Sequence, residues 1–350
     1  MTEYVELRCH SAFSFLDGAS QPEDLVERAA ELGYRALALT DRDGFYGAPR
    51  FYQAAKRLAA ARAPEAVARP SKKIGDAAAG GGEQESLKSW PLKPILGAEL
   101  SLEGGVQLLV LVERREGYRN LSRLLTQVRL DAAGPRGGKV APVLPRALLA
   151  ANVEGLVALT GGLEGAIGRA LAAGDGAGAE LALSELVELF GAGNVYVELQ
   201  RHFDADEELR NRELLRLAAR AGLPLVATND VRYGRPEDHR LHDVLTCARH
   251  QMTVDEIGRR LLPSHERYLK APAEMAALFR DVPEAMRTTC AVAERCAFTL
   301  ADLGYQFPDY PTDGETVQEH LERLTWECAR ERFRPRTSKG GRKVFCLARI

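Results

Sequence analysis

Short apolar runs alternate with helix-patterned stretches through the first two thirds of the 350-residue chain, and this rhythm limits the fold more than any single motif does. Tyr4 to His10 alternates in strand fashion, with Val5, Leu7 and Cys9 on one face and Glu6, Arg8 and His10 on the other. Ser20-Gln-Pro-Glu23 reads as a capping box with proline in the first turn. It opens a helix whose Leu25, Val26, Ala29 and Leu32 recur at helical spacing, and Gly33 closes it. The strand Ala36 to Thr40 follows, ends in Asp41-Arg-Asp-Gly44, and gives way to helix over Phe51 to Ala61. Further apolar runs lie at Pro94 to Ala98, Leu108 to Val112, Leu156 to Leu159, Val195 to Leu199 and Leu223 to Ala227, with helical patterns such as Ala179 to Phe190 and Asn211 to Ala221 between them. Such units predict an α/β fold with a mostly parallel sheet. Six or seven of them predict a barrel, with any chemistry on loops at the strand C-termini.

Two stretches break the rhythm. Residues 62–92 are rich in Ala, Gly, Pro, Lys and Glu, include Gly80-Gly-Gly82, and lack the periodicity needed to pack, which predicts a disordered insertion loop. The triple glycine has no Lys-Ser/Thr and follows no strand, so it is linker rather than a phosphate loop. After about Pro236 strands cease, and helical patterns run over Glu237 to Arg249, Pro272 to Phe279, Pro283 to Cys296 and Val317 to Glu331. A boundary near residue 270 therefore separates an α/β domain (1–270) from a small, mostly helical segment (271–333), with a basic tail at 334–350.

The composition, 45% apolar and 27% charged, supports a sizeable core. No stretch reaches the ~18 to 20 apolar residues of a membrane span and no leader pattern opens the chain, so a cytoplasmic location is expected. Cys9, Cys247, Cys290, Cys296, Cys328 and Cys346 form no CxxC pair, which predicts reduced thiols. The formal charge of -2 hides a basic end: Arg330 to Arg349 carries eight Lys or Arg against the single acid Glu331. Such a tail can contact phosphates, or is simply a disordered terminus.

Residues two apart on a strand share a face, so Arg8 and His10, and likewise Asp230 and Arg232, are expected to point together from strand ends. Glu99, Asp17 and Asp41 also follow strands. Several acids and one histidine thus gather at one barrel mouth, where they form a site or merely cap the next helices.

The runs Leu7-Arg-Cys-His-Ser-Ala-Phe-Ser-Phe-Leu-Asp-Gly18, Ala38-Leu-Thr-Asp-Arg-Asp-Gly44, Lys93-Pro-Ile-Leu-Gly-Ala-Glu99, Glu116-Gly-Tyr-Arg-Asn-Leu121, Leu159-Thr-Gly-Gly-Leu-Glu-Gly165, Val226-Ala-Thr-Asn-Asp230 and Leu241-His-Asp-Val-Leu-Thr246 occur in order over residues 4–250. They resemble the PHP (polymerase and histidinol phosphatase) motifs of bacterial C-family DNA polymerases. Ser264-His-Glu-Arg-Tyr-Leu-Lys270 and Leu321-Glu-Arg-Leu-Thr-Trp-Glu327 resemble the stretch leading toward the polymerase palm, and Glu198-Leu-Gln-Arg-His202 tilts the likeness to the error-prone branch. The resemblance implies a distorted (β/α)7 barrel followed by the helical start of the polymerase region.

Active members of that family hold a cluster of divalent metals on nine ligands, able to activate water for phosphodiester hydrolysis. Carried over by position, the resemblance leaves His10, Asp17, Glu99 and Asp230 as remnant ligands. It is broken at Arg8, Arg42 and Arg232 for histidines, Gln107 for another histidine and Gly162 for a cysteine. Arginine offers no lone pair to a metal but pairs readily with carboxylates. A dead site held by ion pairs is therefore expected, with a reduced Zn or Mn site on His10, Glu99 and Asp230 as the alternative. Glu198 and His202 are expected to share a local hydrogen bond. His239, His242 and His250 lie on one helical segment, with His239 and His242 sharing a face but no third ligand in view. Trp90 and Trp326 read as packing residues rather than base-stacking platforms.

The implied parent is an error-prone, DNA-directed DNA polymerase of repair and translesion synthesis, using Mg at palm carboxylates expected beyond residue 350. Its partners would be DNA, and a sliding clamp and damage-response proteins reached through other regions. After Phe333 the chain departs from the family's continuation, as a truncated reading would, so this chain alone is expected to polymerise nothing and to need no cofactor. For the isolated chain a non-enzymatic brace is the expected role, with a metal-dependent PHP phosphoesterase or 3′-5′ proofreading exonuclease as the alternative.

Overall fold

A computed structural model describes residues 3–62, 90–133, 142–303, 314, 316–332, 336–337 and 343–344. The chain divides into two compact units, Met1–Leu303 and Gly304–Ile350, and the boundary expected near residue 270 falls inside the first. Six strands form one sheet in chain order: β1 (Ala36–Leu39), β2 (Lys93–Ser101), β3 (Gln107–Val112), β4 (Leu156–Leu159), β5 (Val195–Leu199) and β6 (Leu225–Ala227). The pairs β1–β2, β4–β5 and β5–β6 are parallel, whereas β2–β3 and β3–β4 are antiparallel. A parallel return needs a crossover of roughly a dozen residues or more, and the short link from Ser101 to Gln107 cannot supply one. Gly104 (φ 75°) and Gly105 (φ 72°) make the reversal in the left-handed region that glycine enters freely.

The first segment closes this curled sheet into a barrel through isolated bridges, Glu6 to Leu37 and Cys9 to Val231, rather than as a regular strand. Its ladder is interrupted where the Arg8 amide donates to Glu6 Oε1 at 2.9 Å. Strict alternation consequently fails: Val5 and Leu7 join the barrel interior with Ala38, Ile95, Leu109 and Leu159, while Cys9 packs in the outer layer between sheet and helices.

Around the barrel lie α1 (Pro22–Glu31), α2 (Ala48–Arg62), α3 (Arg115–Ala133), α4 (Arg146–Ala150), α5 (Ala166–Ala172), α6 (Gly176–Phe190), α7 (Ala205–Ala221), α8 (His239–His250), α9 (Val254–Ile257), α10 (Pro272–Leu278) and α11 (Pro283–Arg295). α11 seals the end where the parallel strands begin. Val292, Ala293 and Cys296 enter the interior cluster, and Lys93 Nζ donates to the Ala293 carbonyl at 2.6 Å. The opposite mouth is thereby left for polar groups.

The second unit contains α12 (Val317–Arg332) and a strand pair, β7 (Arg336–Thr337) with β8 (Lys343–Val344). Most of the loop expected at 62–92, including Gly80-Gly-Gly82, and most of the basic tail lie outside the described residues. Trp90 packs as expected, 5.5 Å from the Tyr52 ring, but Trp326 does not: it is 65% exposed on α12. Cys9, Cys247, Cys290, Cys296 and Cys328 are free thiols. Among the described residues no helix is long and apolar enough to cross a membrane.

Candidate functional site

Arg8 lies at the centre of the barrel mouth, buried and surrounded by acids from three strand ends. Its guanidinium reaches Glu99 of β2 through Nη2, Glu198 of β5 through Nη1 at 3.2 Å, and Asp230, just past β6, through Nε at 2.9 Å. Burial opposes the charged guanidinium, but Glu198 and Glu99 outweigh it and hold the proton more firmly than usual. Arg232 leaves the same edge, bridging Asp17 and Asp230, with Nη2 at 2.9 Å from Asp230 Oδ1. Arg42 follows β1 and spans Glu99 at 3.1 Å and Asp17 at 3.2 Å. Burial alone would raise the carboxyls of Asp17 and Glu99. Arg232 and Arg42 beside Asp17, and Arg8 beside Glu99, instead hold both well below the usual carboxylate range.

His10 is fully buried in this lattice. Nδ1 lies 2.6 Å from Arg232 Nη1 and 3.1 Å from Asp17 Oδ2, while Nε2 faces Glu99 Oε2 at 3.3 Å. A guanidinium only donates, so Nδ1 must accept from Arg232, and the remaining ring proton sits on Nε2 toward Glu99. Nδ1 is thereby engaged, whereas Nε2, though near Glu99, makes no hydrogen bond among the described residues.

Of the strand-end residues read from the sequence, the structure brings His10, Asp17, Glu99, Asp230, Arg8, Arg42 and Arg232 together. Asp41 stays out: it accepts from the Ser11 amide (2.7 Å) and the Ser14 hydroxyl (2.8 Å) and so braces the loop that presents Asp17. Gly162 borders the cluster, and a Cβ there would stand 2.9 Å from Gln200 Oε1 and 3.1 Å from Arg8 Nη1. Gln107 makes no hydrogen bond to the cluster among the described residues; it lines a separate, mostly apolar cavity of about 230 Å³ with Leu102, Leu108, Leu149 and Ile167.

Three members were not foreseen. Glu198 does not bond His202, as its spacing suggested. Being on a strand, it points into the mouth, where it also accepts from Thr228 Oγ1 (2.5 Å), Gln200 Nε2 (3.0 Å) and the Gly161 amide (3.1 Å). His202 instead pairs with Glu207 at 2.8 Å and the Asn229 carbonyl at 3.0 Å. Arg249 of α8 contacts Asp17 at 3.1 Å, and Arg267 contacts Asp230. The place of Arg267 within the Ser264-His-Glu-Arg-Tyr-Leu-Lys270 run was the available signal; for Arg249 the sequence carried none. His239 and His242, three apart on α8, have different ring partners. His242 is buried 5.7 Å from the Tyr233 ring, with its pKa pushed down to about 4 by burial, whereas His239 stacks on His265.

The PHP domain profile matches residues 6–202. The chain belongs to the PHP domain family. This PHP chain is 39% identical over 361 residues to an error-prone DNA polymerase of Nocardia farcinica, covering 95% of this chain and 30% of that protein. It is 37% identical over 341 residues to an error-prone DNA polymerase of Mycolicibacterium paratuberculosis, covering 94% and 28% respectively. It therefore spans less than a third of the relatives it matches. A Bifidobacterium adolescentis structure described as a metal-dependent phosphoesterase superposes with a TM-score of 0.41 at 16% identity, over 66% of this chain and 88% of that one.

Proposed function

We propose that this chain is the PHP portion of an error-prone DNA polymerase acting in repair and translesion synthesis, and that its barrel mouth is a structural brace rather than a hydrolytic centre. The observation that carries the second part is Arg8, whose guanidinium stands among the carboxylates that a metal ion would need. The residues do not fit a metal cluster. Glu99, Asp17 and Asp230 are engaged by guanidiniums, His10 Nδ1 accepts from Arg232, and Gly162 brings no side chain. Fixed protein charge replaces metal charge here. DNA, Mg, a sliding clamp and damage-response partners belong to the whole polymerase, through regions beyond this chain.

A second reading, a reduced Zn- or Mn-dependent phosphoesterase or 3′-5′ exonuclease, draws on the placement of His10, Glu99 and Asp230, whose ligand atoms lie within 4.8 Å of one another. A 3′-exonuclease assay on the purified chain with added Mn or Zn separates the two. The brace reading expects no cleavage; cleavage that His10→Ala or Asp230→Ala abolishes would overturn it.

A further inference from the structure

Outside the barrel mouth, α8 and the segment after α9 bring together a second set of metal-ligating side chains. His239 and Asp243 are four apart on one face of α8, and His265 reaches them from the loop ahead of Tyr268. Their ligand atoms all lie within 4.8 Å of one another, and the two imidazole rings stack with centroids 3.9 Å apart. The cluster is open to solvent, with His239 and Asp243 half-buried and His265 exposed.

Three features set this cluster apart from a chance meeting of surface side chains. His239 Nδ1 lies 2.8 Å from the Pro236 carbonyl, which can only accept, so Nδ1 carries the proton and Nε2 keeps its lone pair outward. A backbone carbonyl on one ring nitrogen is the usual means of orienting a metal-binding imidazole. Asp243 makes no hydrogen bond or ion pair among the described residues, leaving its carboxylate free to ligate. His265 leads into a stretch that is already anchored: the Arg232 amide donates to the Arg267 carbonyl at 2.8 Å, and the Leu269 amide to the Tyr233 carbonyl at 3.1 Å.

We propose that His239, Asp243 and His265 form a surface site for one zinc-class divalent ion, which clips the 264–270 segment to α8. Two imidazoles and a carboxylate are a donor set suited to zinc, with water as the fourth ligand. Parallel rings aim their lone pairs side by side rather than at one point, so binding turns the exposed His265 off the stack about its side-chain bonds. The clip has a consequence for the barrel. Two residues on from His265, Arg267 delivers its guanidinium to Asp230, so the ion would restrain the segment that supplies one of the mouth's cations.

The test is zinc chloride titrated into the metal-free full chain, followed by calorimetry and by thermal melting, for wild type and for His265→Ala, His265→Cys, Asp243→Asn and His10→Ala. Expected are one zinc per chain and a raised melting temperature in wild type and in His10→Ala. Affinity should fall at least tenfold in His265→Ala and Asp243→Asn, and His265→Cys, which restores a ligand, should recover it. Since His265 is exposed, its variants are expected to melt like wild type without zinc, so a misfolded variant is recognised by its metal-free melt. No zinc binding by wild type, or binding unaltered in His265→Ala, would overturn the clip while leaving the brace reading intact. Binding lost only in His10→Ala would place the ion in the barrel mouth and overturn both.

Discussion

Arg8 ties three carboxylates from three strands, so its loss is felt by all of them. Truncating one partner of a buried ion pair leaves uncompensated charge and typically costs about 3–5 kcal/mol. Arg8→Met is therefore expected to lower unfolding stability by about that amount in urea, and the Arg8→Met/Glu99→Gln double variant to lose less than the two single variants summed, by roughly 1–3 kcal/mol of coupling. Strict additivity would mean that Arg8 and Glu99 do not act as a pair. Gly162→Cys carries the same logic to a missing ligand. At φ 60° a side chain is strained, and its Cβ would crowd Gln200 and Arg8, so adding back this one sulfur should destabilise by roughly 1–3 kcal/mol and confer no metal binding. The convergence of His10, Asp17, Glu99 and Asp230 was legible because residues at strand ends share a mouth. Glu198, Arg249 and Arg267 were hidden because contacts across 37 to 232 residues leave no trace in spacing, as the Arg249–Asp17 pair illustrates with its separation of 232.

Each strand of the sheet overlaps an apolar run, yet the direction of β3 was not read, since a fully buried strand shows the same continuous apolar pattern whichever way it runs. The clue was the short, glycine-bearing link at Gly104 and Gly105. Glycine also separates close-packed from open helical positions. In α3, a Cβ on Gly117 would stand 1.9 Å from the Gly155 carbonyl oxygen, whereas at Gly176, opening α6, it would meet nothing within 4 Å. Replacement of a helical glycine by alanine ordinarily stabilises by about 0.4–1 kcal/mol. Gly176→Ala should follow that rule, while Gly117→Ala should reverse its sign and cost about 1–3 kcal/mol through overpacking. Denaturant midpoints of the two variants measured side by side decide this; an equal gain in both would mean that α3 can move away from Gly155 freely.

At the scale of the whole molecule, buried ionisable groups make stability depend on pH in opposing ways. Burial raises the Glu6 carboxyl to about 7, despite hydrogen bonds from Tyr4 and from the Arg8 and Asn229 amides. The folded chain then holds a proton that the unfolded chain releases near 4.5, so Glu6 makes stability fall as pH rises between those values. His242 acts oppositely. Its unfolded imidazole takes a proton near 6.5 and its buried one only near 4, so stability is lost as pH drops from about 6.5 to about 4. Below the usual carboxylate range Asp17 and Glu99 add to the loss, because the unfolded chain protonates them first. His242 and Glu6 are each worth at most roughly 3 kcal/mol, at about 1.4 kcal/mol per tenfold change in proton binding, and over most of the window they offset one another. Replacing His242 by Phe, which suits the ring packing against Tyr233, removes one arm of that balance. Relative to wild type, His242→Phe should gain stability steadily as pH is lowered from about 6.5 to about 4, by up to roughly 3 kcal/mol, and the difference should be constant above pH 7. Urea unfolding of both proteins at several pH values measures it, and a pH-independent difference would show that the buried imidazole titrates in the folded chain as it does in water.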